Sequence, residues 1–216
     1  AAPGARLTYF AGYGLAEQTR WMLAAAGIKW QQVALQRHEE FLQLRREGKL
    51  LFGQLPLLEI DGLNLVQSQA MHRYVAQRAN LLGSNPAETA LVDMVAEGIK
   101  DARGVVVSFP FTDDQEGLAY EVPSRIAKQM GPLNQAIKRR ADGTYGFLSS
   151  GFSAADVLLA EFAEELSNIR KDALQPYPAA AALHKQVVAM PNIQAYLKGP
   201  HRYPFPWGRV ASVYTQ

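Results

Sequence analysis

The stretch LFGQLPLLEIDGLNLVQSQAMHRY, residues 51–74, determines how the rest of the chain is interpreted. It holds two short apolar segments, 57–60 and 63–66, joined by Asp61-Gly62. An Asp-Gly pair tolerates the positive φ angles of a two-residue hairpin turn, so these segments are predicted to be antiparallel strands. A proline precedes the first strand, and a polar pair follows the second.

The residues beside this hairpin suggest a site for a peptide-like ligand. Pro56 has no N–H and forces Leu55 into an extended conformation, which is expected to turn the Leu55 backbone groups outward. Ser68 is expected to be the N-cap of a helix whose first N–H groups can hold a carboxylate. Taken singly, Pro56 could merely start an edge strand and Ser68 merely cap a helix. Their spacing favours the ligand site.

Composition excludes several classes of protein. A chain of 216 residues, 48% apolar and 19% charged, can bury a sizeable core in one or two domains. The net charge of +2 comes without a Lys/Arg-rich run, so no nucleic-acid partner is expected. No apolar stretch approaches the roughly 18 residues that span a bilayer, so no membrane partner and a cytoplasmic location are expected. The absence of cysteine means that any reactive thiol belongs to a substrate.

The order of helix and strand signals predicts an α/β segment followed by an all-α segment. Strands are predicted at 6–10 and 30–35, in addition to the hairpin, and helices at 16–26, 39–47 and 68–77. The resulting order, β-α-β-α-β-β-α, indicates a thioredoxin-like mixed sheet, in which only the hairpin pair must be antiparallel. Gly, Ser, Asn and Pro cluster at 80–86, which predicts a linker between domains 1–80 and 87–216.

The second domain is predicted to be helical. Long helices are expected at 88–109, 121–140 and 153–167, and shorter ones at 179–189 and 193–198. Ser153 and Asp156 have the spacing of a capping box, which gives Asp156 a structural role. The tail 201–216 mixes prolines with aromatic residues such as Trp207 and Tyr214, and is either packed extended chain or the cover of a pocket.

Several of these segments together resemble the cytosolic glutathione S-transferases, most closely the alpha, pi and sigma classes. The resemblance is strongest in Phe52-Gly53-Gln54-Leu55-Pro56, in Glu59-Ile60-Asp61-Gly62-Leu63 and in Gln67-Ser68, and it extends to Leu7-Thr8-Tyr9-Phe10, Glu17-Gln18-Thr19-Arg20-Trp21, Glu97-Gly98-Ile99-Lys100-Asp101 and Ser153-Ala154-Ala155-Asp156. It implies a dimeric enzyme with a thioredoxin-like and a helical domain. Glutathione would be a co-substrate, with no further cofactor.

The resemblance assigns the catalytic role to Tyr9, at the end of the first predicted strand. In the family, a tyrosine at this place donates a hydrogen bond to the glutathione sulfur. Lowering a thiol pKa of about 8.5 by ~2 units needs about 2.7 kcal/mol, and one charge-assisted hydrogen bond supplies ~1.5 to 3 kcal/mol. The structural alternative is a buried tyrosine bonded to a carbonyl. Tyr13 is the second candidate for the role.

The same resemblance implies the contacts with glutathione. Gln54 and Leu55, beside Pro56, match the residues that bind the cysteinyl backbone. Gln67 and Ser68 match the pair that holds the γ-glutamyl carboxylate. The helix start predicted at Ser68 agrees with an anion site there.

Arg45 matches an arginine near the glycyl carboxylate, and Asp101 an acidic residue that reaches the neighbouring subunit's glutathione. Phe52 matches the aromatic residue that inserts into the partner subunit, although it could equally belong to a loop core. Two departures stand out. Leu15 and Gly131 occupy places where alpha members carry arginines, so the class within the family stays open.

Family geometry places Phe10, Val107, Ser108 and Phe111 in a pocket for the electrophile, roofed by Tyr203, Phe205 or Trp207. All of them are also suited to an ordinary core. No metal site is expected, because the four histidines are scattered singly.

Three functions are compatible with these features. The first is conjugation of glutathione to small apolar electrophiles. The second is a non-catalytic binding or crystallin-like protein of the same fold, which Leu15 would explain. The third is a glutathione-dependent isomerase similar to the prostaglandin-isomerising sigma members.

Overall fold

The computed structural model describes residues 4–207, so Tyr214 and the rest of the tail after Trp207 lie outside the described residues. The first part contains four strands and three helices in the predicted order. They are β1 (Ala5–Phe10), α1 (Glu17–Ala25), β2 (Trp30–Leu35), α2 (His38–Arg46), β3 (Leu57–Ile60), β4 (Leu63–Leu65) and α3 (Ser68–Arg78), with a 3-10 turn at Gly14–Ala16 before α1. The thioredoxin-like order predicted from the sequence is confirmed.

The four strands form one mixed sheet in the order β2-β1-β3-β4. β1 and β2 are parallel because α1 carries the chain back across the sheet between them. The pairing of β1 with β3 is antiparallel, as is the β3–β4 hairpin, so the antiparallel part is larger than the hairpin alone requires. Thr8 lies opposite Leu57 in this register. The carboxyl end of β1 therefore meets the chain that enters β3.

The second part is helical, as predicted. Its helices are α4 (Pro86–Gly104), α5 (Gln115–Ala136), α6 (Ala154–Ile169), α7 (Pro178–Val188) and α8 (Pro191–Leu197). No helix within residues 4–207 is both long and apolar enough to cross a membrane. One large apolar core joins the sheet to the helices, with Trp21, Leu58 and Phe162 buried in it, and a smaller cluster lies around Leu57. The domain boundary between residues 80 and 87 stays a prediction.

Three predicted helix boundaries, in two helices, are wrong. The helix expected over 88–109 ends at Gly104, and a separate 3-10 turn follows at Phe109–Phe111. The helix expected over 121–140 begins earlier, because the Asp114 side chain caps it by accepting the Gly117 N–H at 2.8 Å. It ends at Ala136, and the chain then forms a short hairpin of β5 (Lys138–Arg139) and β6 (Tyr145–Gly146).

Arg140 explains why the chain leaves the helix there. Its guanidinium donates to the carbonyls of Tyr145, Leu148 and Gly151 at 2.6 to 2.9 Å, and to the Asp156 carboxylate at 3.2 Å. An arginine in a continuous helix could not bond this many groups of the following loop. Arg140 therefore ties the hairpin to the loop that leads into α6.

Asp156 completes the connection to α6. It is fully buried and accepts the N–H groups of Ser153 and Phe147, both at 2.9 Å. Burial raises the pKa of the Asp156 carboxyl, while these two amides and Arg140 oppose that shift. The carboxylate thus holds the start of α6 and the hairpin together, which is the structural role expected from the sequence.

Asp156→Ala is expected to lower the free energy of unfolding by about 3 to 5 kcal/mol, because it leaves Arg140 buried without its partner. Urea unfolding followed by circular dichroism measures this loss. Asp172→Ala is the control, since Asp172 is exposed and pairs only with Arg170. Equal losses in the two variants would contradict the role given to Asp156.

Candidate functional site

Tyr9 lies at the carboxyl end of β1 and is almost completely buried. Its hydroxyl oxygen accepts the Leu15 backbone N–H at 3.2 Å. The loop that supplies this N–H passes close to the ring, since a Cβ atom on Gly14 would lie 2.6 Å from the Tyr9 hydroxyl oxygen. Gly14 also has a φ of +47°. A hydroxyl that accepts from an amide still carries a hydrogen to donate, and the loop sets its direction.

The proline loop lies beside this strand end, because β1 pairs with β3 immediately after Pro56. The Leu55–Pro56 peptide bond is cis. Within residues 4–207, neither the N–H nor the C=O of Leu55 forms a backbone hydrogen bond. The exposed Gln54 side chain accepts from the Gln67 side chain at 3.4 Å. An extended ligand could therefore pair with Leu55 between Tyr9 and Gln67.

The helix start at α3 differs from the prediction. Gln67 is the N-cap residue and Ser68 is the first residue of the helix, so the capping role expected for Ser68 is wrong. The Gln67 backbone has a φ of 70°, an uncommon conformation for a residue with a side chain. Such conformations concentrate at functional sites, where the surrounding structure enforces them.

A cavity of about 250 Å³ opens in front of the α3 start. It is bordered by residues of α1, α3 and α4 and of the loop before α1, namely Leu15, Gln18, Gln67, Ser68, Gln69, Lys100, Arg103, Gly104 and Val107. The first amides of α3, the Ser68 hydroxyl and the Lys100 ammonium give this cavity the character of an anion site.

Two further predicted site residues, Arg45 and Phe52, lie at the proline loop, and a third, Asp101, lies apart on α4. Arg45, exposed near the end of α2, passes close to Gly53, where an added Cβ would lie 3.3 Å from the Arg45 Nε atom. Phe52 is 61% exposed on the same loop. Asp101 is exposed on α4 and is not among the residues that border the 250 Å³ cavity.

A second cavity, of about 350 Å³, is mainly apolar. It is bordered by the loop after β1, the 3-10 turn at Phe109–Phe111 and the tail, namely Ala11, Gly12, Tyr13, Gly14, Pro110, Phe111, Tyr203, Pro204, Phe205, Pro206 and Trp207. Its walls are aromatic rings in contact, since Phe205 lies 5.4 Å from Tyr13 and 5.7 Å from Phe109 between ring centroids. The described part of the tail thus covers a pocket.

The four residues expected in the electrophile pocket are distributed over several places. Phe111 borders the aromatic cavity, whereas Val107 borders the cavity before α3. Ser108 borders a shallower depression beside Leu118. Phe10 packs against Phe41, with ring centroids 6.3 Å apart. Because α4 ends at Gly104, residues 105–108 do not continue its helical path. The prediction of one helix over 88–109 therefore placed Val107 and Ser108 incorrectly.

Buried charges attach the tail to α1. Glu17, fully buried, accepts the Tyr196 hydroxyl at 2.7 Å and the Trp21 indole N–H at 3.1 Å. Arg202 of the tail forms an ion pair with the same carboxylate. Sequence reasoning missed this anchor, because nothing in the pattern of residues 201–216 pairs Arg202 with a glutamate so far away along the chain.

Tyr13 is occupied by another interaction. Its hydroxyl donates to the buried Glu161 carboxylate at 2.9 Å. Burial and the nearby carboxylate raise the pKa of Tyr13 well above its ordinary value. Tyr13 is therefore a poor proton donor to a ligand, and Tyr9 is the better placed of the two tyrosines. Among residues 4–207, no group of three or more His, Cys, Asp or Glu side chains could hold a metal ion.

Comparison with known proteins shows the family. Residues 5–77 match the N-terminal domain of glutathione S-transferases and residues 100–200 match the C-terminal domain. The chain is 32% identical to glutathione S-transferase alpha-3 of Rattus norvegicus, over 92% of this chain and 90% of that protein. It is 34% identical to glutathione S-transferase 3 of Gallus gallus, over 92% and 87%. The chain belongs to the glutathione S-transferase family.

Solved structures agree with this family. The pi-class glutathione S-transferase of Onchocerca volvulus superimposes with a TM-score of 0.76 at 26% identity, covering 90% of this chain and 92% of that one.

Gly14→Ala is expected to displace the Tyr9 ring and to lower the free energy of unfolding by about 2 to 4 kcal/mol, from the clash and the positive φ together. Thermal unfolding measures the loss. Gly48→Ala is the matched control, because Gly48 has a φ of 70° and open space around its Cα atom, so only about 1 kcal/mol should be lost. Equal losses would show that the Tyr9 contact does not matter.

Proposed function

We propose that this chain is a glutathione S-transferase that joins the thiolate of glutathione to small apolar electrophiles. The observation that carries the proposal is the position of Tyr9, whose hydroxyl is oriented by the Leu15 amide. It lies beside Leu55, whose N–H and C=O form no backbone hydrogen bond within residues 4–207. A tyrosine hydroxyl, an extended backbone edge and a helix start meet there at one edge of the sheet. Family membership supports the same activity.

Glutathione fits this edge as an extended tripeptide. Its cysteinyl backbone would pair with the N–H and C=O of Leu55, in the manner of an added strand. Its γ-glutamyl carboxylate would lie at the first amides of α3, near Gln67 and Ser68. Its glycyl carboxylate would point towards Arg45, at the far end of the proline loop. The cysteine sulfur then falls near the Tyr9 hydroxyl.

Tyr9 would stabilise the thiolate by donating a hydrogen bond to the sulfur. A hydrogen bond to an ionised acceptor is worth about 1.5 to 3 kcal/mol, which lowers a thiol pKa by about 1 to 2 units. The thiol proton passes to solvent, the sulfur lone pair forms a bond to the electrophilic carbon, and the leaving group departs with its electron pair. In additions to a double bond, a proton is taken up instead.

The aromatic cavity would hold the electrophile. The loop 11–16 borders it through Ala11 to Gly14 and borders the anion cavity through Leu15. A sulfur near Tyr9, which this loop surrounds, would therefore lie between the two ligands. Holding both reactants at this distance supplies the proximity on which the rate depends.

The proposal includes a homodimer, with Asp101 contacting the neighbouring subunit's glutathione and Phe52 inserting into the partner. The exposure of both residues supports it, since a phenylalanine that is 61% exposed has no partner in its own core. A cytosolic location and glutathione as co-substrate, with no other cofactor, belong to the same proposal.

Tyr9→Phe should lower conjugation to an aromatic chloro-electrophile by about 10- to 100-fold, because the thiolate loses its hydrogen bond. Glutathione affinity should stay nearly the same, since the other contacts remain. Steady-state kinetics, together with a pH titration of thiolate absorbance on the bound enzyme, measure both effects. Tyr13→Phe is the comparison, and its bound thiol should titrate as in the wild type. An unchanged rate in Tyr9→Phe would contradict the assignment and favour a binding protein.

Phe52→Ser is expected to weaken dimerisation by about 30-fold or more, as removal of a central aromatic anchor costs ~2 kcal/mol or more. Light scattering across a dilution series gives the dissociation constant. Phe52→Tyr keeps the ring and should remain dimeric. A monomeric wild type, or a Phe52→Ser variant that dimerises as well as the wild type, would refute this part of the proposal.

A further inference from the structure

The peptide group between Gly14 and Leu15 is bonded on both sides. Its N–H donates to the Tyr9 hydroxyl oxygen at 3.2 Å, and its C=O accepts from the Arg103 guanidinium at 3.2 Å. In a trans peptide the N–H and the C=O point in opposite directions, so Arg103, the peptide and Tyr9 form a continuous chain of hydrogen bonds. Arg103 reaches the hydroxyl of Tyr9 through one intervening group.

Arg103 is held firmly in this position. It lies in the last turn of α4, is 8% exposed, and donates through Nε to Glu165 of α6 at 2.7 Å. Its Nη2 atom also lies 3.8 Å from the Glu161 carboxylate. Because Arg103 is part of α4 and is already bonded to α6, it loses little further conformational freedom when it also bonds Gly14. The carbonyl groups at the end of α4 also stabilise its positive charge.

We propose that Arg103 is a positioning residue for Tyr9, which holds and polarises the Gly14–Leu15 peptide so that its N–H keeps the tyrosine hydroxyl directed at the glutathione sulfur. This inference rests on the proposed function. It also accounts for Leu15, whose apolar side chain stands where the resemblance leads one to expect an arginine. The positive charge acts from the opposite side of the peptide instead.

The polarisation follows from the order of the bonds. A cation on a carbonyl oxygen draws electron density from the peptide and makes its N–H a stronger donor, by about 10 to 30% per bond in such chains. A stronger N–H donor at the Tyr9 oxygen stabilises negative charge there, and so makes the hydroxyl a better donor to sulfur.

Other charges around Arg103 set the size of the effect. Glu165 faces it from α6 and offsets part of its charge, whereas burial raises the pKa of the neighbouring Glu161, which accepts the Tyr13 hydroxyl, to about 8. His72 faces it from α3, but burial and the charge of Arg103 lower the pKa of His72 to about 3, so its ring is neutral. Within this cluster, Arg103 therefore supplies the positive charge that acts on the Gly14–Leu15 peptide.

The test is the ionisation of Tyr9 in the full-length enzyme without glutathione. Protein labelled with ¹³C at tyrosine Cζ gives one resonance per ring, and the resonance missing from Tyr9→Phe identifies Tyr9. In Arg103→Met the pKa of Tyr9 should rise by about one unit. In Arg103→Lys, which keeps the positive charge, the pKa of Tyr9 should stay close to that of the wild type. Arg140→Met is the matched control, because Arg140 is an equally buried, ion-paired arginine of the hairpin.

Glu165→Gln supplies a second variant with the opposite sign. It removes an offsetting negative charge and leaves Arg103 in place, so the pKa of Tyr9 should fall. Glu165→Gln also serves if Arg103→Met does not fold. Identical Tyr9 titrations in the wild type and in all Arg103 and Glu165 variants that fold would overturn the inference.

This readout is separate from the activity. If Tyr9→Phe conjugates as fast as the wild type, the catalytic role of Tyr9 fails, whatever the titrations show. If Tyr9→Phe loses activity but the Tyr9 pKa ignores Arg103, only the present inference fails. With both correct, the kcat of Arg103→Met at pH 6.5 should fall by about three- to tenfold.

Discussion

The antiparallel pairing of β1 with β3 is the constraint on which the site depends. It sets Thr8 opposite Leu57, and thereby brings the end of the strand that carries Tyr9 next to the chain around Leu55. A parallel pairing would place these groups at opposite ends of the sheet. The start of α3 then follows from the short β3–β4 hairpin, which returns the chain to the same edge. Three parts of the site therefore share one origin in the register of two central strands.

The sequence was informative where local chemistry determines the structure. The Asp61-Gly62 turn, the strand over Trp30–Leu35 and the spacing of Ser153 and Asp156 all predicted features that the structure has. These features depend on neighbours within a few residues. The family resemblance, carried by residues 52–68, extended that local information to the whole fold.

The parts that the sequence did not predict depend on contacts between distant residues. Helix α5 stops at Ala136 because Arg140 bonds a loop that follows it, and the helical pattern of the sequence carries no trace of that. Helix α4 likewise ends five residues before its predicted end at residue 109, which changes the positions of Val107 and Ser108. Gln67 rather than Ser68 became the N-cap, in a positive-φ conformation that the surrounding structure enforces and that the local sequence does not indicate. The sequence likewise did not predict the buried ion pair of Glu17 with Arg202, because the two residues lie far apart along the chain.

The tail that covers the aromatic cavity divides its work between neighbouring residues. Arg202 is fastened to the buried Glu17, whereas Tyr203, Phe205 and Trp207 form wall, and Pro204 and Pro206 between them offer no backbone N–H to a ligand. Anchor and wall are thus different residues of one short segment. Under the proposed function, substitutions in the wall would alter which electrophiles the cavity accepts, while the Arg202–Glu17 ion pair stays in place. Substrate range would in that sense be an evolvable property, set by residues next to the one that fastens the tail.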